Sequence, residues 1–266
     1  MPIIDIAGRP LYYQDTGKDA PAIVLVHGFL MDHRMFAPIV AALEDEFRVI
    51  AYDTRGFGQS GWDGKPFDLY DEVADCVALL DHLGVEQAVI GGMSRGGYIA
   101  LRLALRHPER VRALVLISTR ASADEEPVRA LYRQTRDAWR DHGPIDPIID
   151  GLAGGILGPQ ETVGELWKTW QPAWRSYDPQ AIAAGMDAMI ERDELEDRLG
   201  EIPHPALVIH GDADVGVPVE TGIQLADKLP GARGLLRYPD GHHSVALTHA
   251  AAIIPPLRDF LRAHGR

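Results

Sequence analysis

Short apolar runs recur along the chain, and between them apolar positions return every three or four residues. Ile3–Ile6 and 11–13, separated by Gly8-Arg9-Pro10, read as a hairpin. Ala22–Val26 (AIVLV), Arg48–Tyr52 (RVIAY), 88–90, Val111–Ile117, 207–209 and 235–238 are runs of the kind a parallel sheet buries on both faces. Residues 68–83 place Leu69, Val73, Val77 and Leu80 on one helical face. They open with Asp68, Asp71 and Glu72 at the positive end of the helix dipole and stop at Gly84. Residues 95–107 form a second helical stretch, ended by Pro108. Strand alternating with helix predicts an α/β fold, with a mostly parallel central sheet and helices on both faces.

The alternation lapses between 118 and 201. Only helical spacing survives there, first in Val128, Leu131, Tyr132 and Trp139, then in Val163, Leu166, Trp167, Trp170 and Trp174, then in Ile182, Met186 and Met189. Pro172 predicts a break near Gln171, and the GLAGGILG tract at 151–158 reads as a loop between helices. Open α/β sheets bind ligands at the C-terminal edge of their strands, so an insertion at that point predicts a helical cap over a pocket. The expected division is a core of 1–118 and 201–266, with a cap of 119–200.

Composition adds few constraints. At 266 residues, 46% hydrophobic, the chain suits one large domain with an insertion. A net charge of -13 argues against nucleic acid or an anionic membrane as partner. The single cysteine, Cys76, excludes an internal disulfide and sits at helical spacing among Val73, Val77 and Leu80, where a packing role is expected. The start, MPIIDIAGRP, has no charged-then-apolar leader, and no apolar run approaches the roughly 20 residues that span a bilayer. Cytoplasmic residence is the expectation.

The strongest chemical signal is Gly92-Met93-Ser94-Arg95-Gly96, between an apolar strand and a helix. That is the context a G-x-S-x-G nucleophile elbow requires, because the backbone doubles back where a side chain would clash. A serine hydroxyl needs an adjacent base near neutral pH. Two later strands end in carboxylates and histidines: His210-Gly211-Asp212-Ala213-Asp214 after 207–209, and Asp240-Gly241-His242-His243 after 235–238.

Together with LVHGF (25–29), YDTRGFGQS (52–60), GGMSRGG (91–97), HPERVRALVLI (107–117), PALVIHGDADVGVP (205–218) and PDGHHS (239–244), these segments resemble the α/β-hydrolase superfamily nearly end to end. Within it the chain is most similar to the esterase, 3-oxoadipate enol-lactonase and cofactor-free haloperoxidase-like branch. The resemblance implies an α/β-hydrolase fold and a Ser-His-Asp triad of Ser94, His242 and Asp214, with Asp212 and His243 as rivals. It implies an oxyanion hole from the backbone N–H groups of Phe29 and Arg95, while His27 holds its loop. The implied reaction is hydrolysis of a small-molecule ester or lactone with a hydrophobic body, through an acyl-enzyme. Carbon–carbon bond hydrolysis, acyl transfer or perhydrolysis by the same triad, or ligand reception with slow turnover, stand as alternatives.

Trp139, Trp170, Trp174 and Met186 are the candidate substrate-binding residues of the cap, the bland alternative being that the tryptophans form its core. Arg95 is expected to pair with an acidic neighbour rather than face the pocket, which favours uncharged substrates. Gly56-Phe57-Gly58-Gln59-Ser60-Gly61 matches a dinucleotide motif by letter, but Trp62-Asp63-Gly64-Lys65-Pro66 follows where a helix should begin. With no zinc or P-loop motif either, neither cofactor nor metal is implied.

Overall fold

The computed structural model describes residues 2–265. Among them, the strands are β1 (Ile3–Ile6), β2 (Arg9–Asp15), β3 (Ala22–Val26), β4 (Arg48–Tyr52), β5 (Ala88–Met93), β6 (Val111–Ile117), β7 (Ala206–Gly211) and β8 (Ala232–Tyr238). They form one sheet in the order β1-β2-β4-β3-β5-β6-β7-β8. Pairing is parallel from β4 through β8, and only β1 and β2 run antiparallel to their neighbours.

The helices that cover this sheet are α1 (Ala37–Leu43), α2 (Leu69–His82) and α3 (Arg95–Arg106). Between β6 and β7 come α4 (Glu126–His142), α5 (Asp146–Ile156), α6 (Gln160–Ser176) and α7 (Pro179–Ile190). After them follow α8 (Val219–Lys228), α9 (Val245–Thr248) and α10 (Ala250–His264). Alternation along β3 divides the core in two, because successive side chains point to opposite faces. Ile23 and Leu25 join Ile39 and Leu43 of α1 and Ile253 and Leu257 of α10. Val24 and Val26 join Val73 and Leu80 of α2, Ile99 and Leu103 of α3 and Leu225 of α8.

The acidic start of α2 forms a capping box. Asp68 accepts from the Tyr70 and Asp71 amides, and Asp71 accepts from the Asp68 amide. Such a cap stabilises a helix by about 1 kcal/mol. Cys76 is fully buried and burial pushes its thiol up to about 12, in line with the packing role expected for it.

Two local expectations are corrected. Residues 151–156 belong to helix α5, not to a loop. The face of α5 carrying Ile149 and Ala153 is buried, and that packing outweighs the cost of its glycines. Nor does Pro172 end its helix. α6 runs through it, and the backbone departs from helical values at Val163 instead (φ -126°, ψ 31°). Trp170 and Trp174, on either side of the proline, are anchored in the core, which offsets the roughly 3 kcal/mol a mid-helix proline costs.

Candidate active site

Ser94 joins β5 to α3 with φ 52° and ψ -115°, a conformation L-residues rarely adopt. The neighbouring glycines make it attainable. A Cβ at Gly92 would overlap the Gly96 carbonyl, and one at Gly96 would overlap the Val26 carbonyl of β3. The strain is held from both sides, by the Ser94 N–H on the Ile117 carbonyl (2.8 Å) and the Thr119 hydroxyl on the Ser94 carbonyl (2.8 Å). Strain over-determined in this way is typical of functional turns.

Asp214 follows β7 on a tight loop. Its Oδ1 accepts from the amides of Gly216 (2.9 Å) and Val217 (2.8 Å), leaving Oδ2 for the His243 Nδ1–H at 2.8 Å. Burial pushes the Asp214 carboxyl up, but the His243 ring and the Val217 amide outweigh it and hold the group below the ordinary carboxylate range. Asp212, the rival, pairs with Arg237 at the surface.

The partnership expected for His242 belongs instead to His243. After β8 the chain turns at Gly241, which packs against Gly211, and beyond it the two histidines diverge. His242 directs its Nδ1–H at the Ala213 carbonyl (3.2 Å) and lays its ring against the backbone of Gly158. His243 is buried against Asp214 and lines the same cavity as Ser94.

That cavity, of about 470 Å³, is bounded by the sheet's C-terminal edge and the helices inserted after β6. Phe29 and Met93 line it beside Ser94, and a Cβ on Gly28 would lie 3.5 Å from that of Ser94. His27 lies behind this loop. Its Nδ1–H bonds the Gly28 carbonyl (2.8 Å), and its Nε2 accepts from the Thr54 amide (2.9 Å). Burial drives its pKa down, so it sits neutral as a brace. The Arg95 side chain turns away, fully buried, onto Glu72 (2.5 Å), the Thr54 hydroxyl (3.0 Å) and the face of Phe57.

Of the four cap residues expected to bind substrate, only Met186 reaches the cavity. Trp139, Trp170 and Trp174 are buried with Ile149, Leu157 and Ile182, so they hold the inserted helices together rather than contact a ligand. The rest of the wall includes Val128, Leu131, Tyr132 and Met189, which share the helical spacing of the insertion, together with Tyr98, the backbones of Gly151 and Gly155, and Val215 to Pro218. Two signals point to part of this set. Tyr98 lies one helical turn after Ser94, and Val215 directly follows Asp214.

Asp32, His33 and Asp53 form a buried cluster whose donor atoms lie within 4.8 Å of one another. These groups are already engaged. Asp53 accepts from the His33 amide, the His33 ring and the Gln59 amide, and Asp32 chelates the Arg34 guanidinium. The cluster ties the loop after β3 to the loop after β4.

A family model described as "alpha/beta hydrolase fold" matches residues 21–250, most of this chain. The protein belongs to the alpha/beta hydrolase fold family. As a hydrolase of this family it is 29% identical to the bifunctional esterase/perhydrolase of Acinetobacter calcoaceticus, over 96% of its own length and 97% of the relative's. A thermophilic esterase from Thermogutta terrifontis superposes with a TM-score of 0.90 at 28% identity, covering 99% of this chain and 97% of that one. The enol-lactonase of Burkholderia xenovorans LB400 gives 0.90 at 29% identity, covering 98% and 100%. The hydrolase fold is thus shared end to end with esterases and a lactonase. No helix among the described residues is long and apolar enough to cross a membrane.

Proposed function

We propose that this protein hydrolyses carboxylic esters or lactones through an acyl-enzyme on Ser94, with His243 as base and Asp214 as the acid that orients it. The observation that carries the reading is the 2.8 Å bond between Asp214 and the His243 ring, in a cavity that His243 and Ser94 both line. With its Nδ1–H held by a carboxylate, His243 presents Nε2 as a proton acceptor. Ser94 Oγ attacks the substrate carbonyl carbon while its proton passes to Nε2. The tetrahedral oxyanion forms hydrogen bonds with the backbone N–H groups of Phe29 and Arg95, the latter an unpaired amide at the first turn of α3. His243 then returns the proton to the departing alkoxide, and a water, deprotonated in turn by His243, releases the acid.

The inserted segment, 119–200, acts in this reading as a cap that supplies an apolar wall and excludes water. The relatives named above include an esterase/perhydrolase and an enol-lactonase, and the ester or lactone bond is what their reactions share with this reading. The test is covalent. A fluorophosphonate should label Ser94 alone, as read by peptide mass spectrometry, and hydrolysis of a chromogenic short-chain ester should fall about 10,000-fold in folded Ser94→Ala. Retention of more than a hundredth of wild-type activity by that variant would sink the mechanism.

A further inference from the structure

The protein carries a net charge of -13, yet among the described residues the only charged side chains that line this cavity are two arginines, Arg120 and Arg192, and no carboxylate lines it. Arg120 lies on the loop after β6, and Arg192 lies two residues past α7. Both converge on one acid, Asp124. The Arg120 Nη2 sits 2.9 Å from Oδ1, and the Arg192 Nη1 sits 2.6 Å from Oδ2. Two guanidiniums against one carboxylate leave one positive charge uncompensated at the wall.

Arg192 is only 6% exposed and rigidly placed. It bonds the carbonyls of Met189 (2.8 Å) and Ser122 (3.0 Å) and rests over the Tyr98 ring at 4.5 Å. The Nε groups of both arginines are buried without a hydrogen-bond partner. These Nε groups have no accessible surface, so an anionic ligand would be held at the wall by the net charge of the pair and not by them. Tyr132, on the same wall, has its phenol pushed up to about 12 by burial, so it stays a neutral donor. Arg95 pairs with Glu72 as expected, but the preference for uncharged substrates drawn from that pairing does not follow, because Arg120 and Arg192 bring positive charge to the cavity instead.

We propose that Arg120 and Arg192, held together by Asp124, form a carboxylate-binding wall of the cavity, and that the enzyme selects substrates whose apolar body ends in an acid group. The proposal rests on the reading of this cavity as the active site, but its test can be separated from catalysis. Ser94→Ala protein is titrated calorimetrically at pH 7 with 4-phenylbutyrate and with its neutral amide. The acid should bind at least tenfold more tightly. Arg120→Gln, in the same background, should erase that advantage. Asp124→Asn, which raises the local charge by one, should enlarge it and keeps the test decisive if Arg120→Gln does not fold.

Equal affinity for acid and amide, or a preference untouched by both substitutions, overturns the proposal. In parallel, kcat/KM of wild type is measured on mono-4-nitrophenyl glutarate and on the corresponding amide. If the neutral ester is hydrolysed and the acid has no advantage, the anion site fails and the hydrolase reading stands. If neither ester is hydrolysed while the acid still binds in an Arg120-dependent way, the site stands and the hydrolase reading fails.

Discussion

At the scale of single residues, His243 and His242 are chemically identical and structurally opposed. The first has its Nδ1–H on a buried carboxylate, while the second has its own on a backbone carbonyl and its ring against Gly158, between α5 and α6. A carbonyl cannot supply the charge that stabilises an imidazolium, which is why the proposed mechanism assigns the base to His243. His243→Ala should therefore lower kcat by about four orders of magnitude or more, while His242→Ala should cost less than about tenfold. Steady-state kinetics on one ester decides the matter, and the reverse pattern returns the role to His242.

The same pair has a pH signature. Asp214 is held below the ordinary carboxylate range, so its stabilising contribution is complete above the unfolded value of about 3.9 and drains away as the pH falls through the lower folded value. The unfolding midpoints of wild type and Asp214→Asn, followed across one pH series, should draw together as the pH falls through that range, and a difference that does not shrink on acidification would mean that the carboxylate's charge contributes no stability.

At the scale of elements, the inserted helices are organised by aromatic packing. Trp174 is fully buried on α6 amid residues of the helices around it. Truncation to alanine should destabilise the protein by about 3–5 kcal/mol, a large part of a typical total of about 5–15 kcal/mol. Urea unfolding of Trp174→Ala measures this, and a loss below 1 kcal/mol would mean that the tryptophan does not hold the helices together. The catalytic loop is tied to the same insertion, since the Ser244 hydroxyl donates to the Ile156 carbonyl (2.6 Å) at the end of α5. Glycines within α5 then acquire a purpose. Gly151 and Gly155 wall the cavity with backbone, where larger side chains would fill it.

At the scale of the whole molecule, the cavity of about 470 Å³ sets the size of what the enzyme holds, and its apolar lining sets the gain from filling it. Burial of each methylene contributes about 0.8 kcal/mol, so kcat/KM should climb roughly fourfold per carbon along a series of short 4-nitrophenyl esters and then level off. A flat series would mean that the body of the ester does not enter the cavity.

What the sequence determined by itself was whatever local chemistry decides. Strand and helix alternation set the layered sheet, and the glycines around Ser94 marked the elbow because only glycine clears the crossing backbone there. That a carboxylate would follow β7 was legible from the buried strand before it, while the preference for Asp214 over Asp212 came from the family resemblance. The tertiary structure alone decided which histidine meets Asp214, since one step along the turn after Gly241 reverses a side chain's direction. It also decided that the tryptophans face inward and the arginines line the cavity. Periodicity identifies which face of a helix is buried, but not whether that face meets protein or an empty space. Arg120 and Asp124 lie four residues apart after β6, but Arg192 reaches them only through the return of the chain after four helices, and nothing in the local sequence of that pair records it.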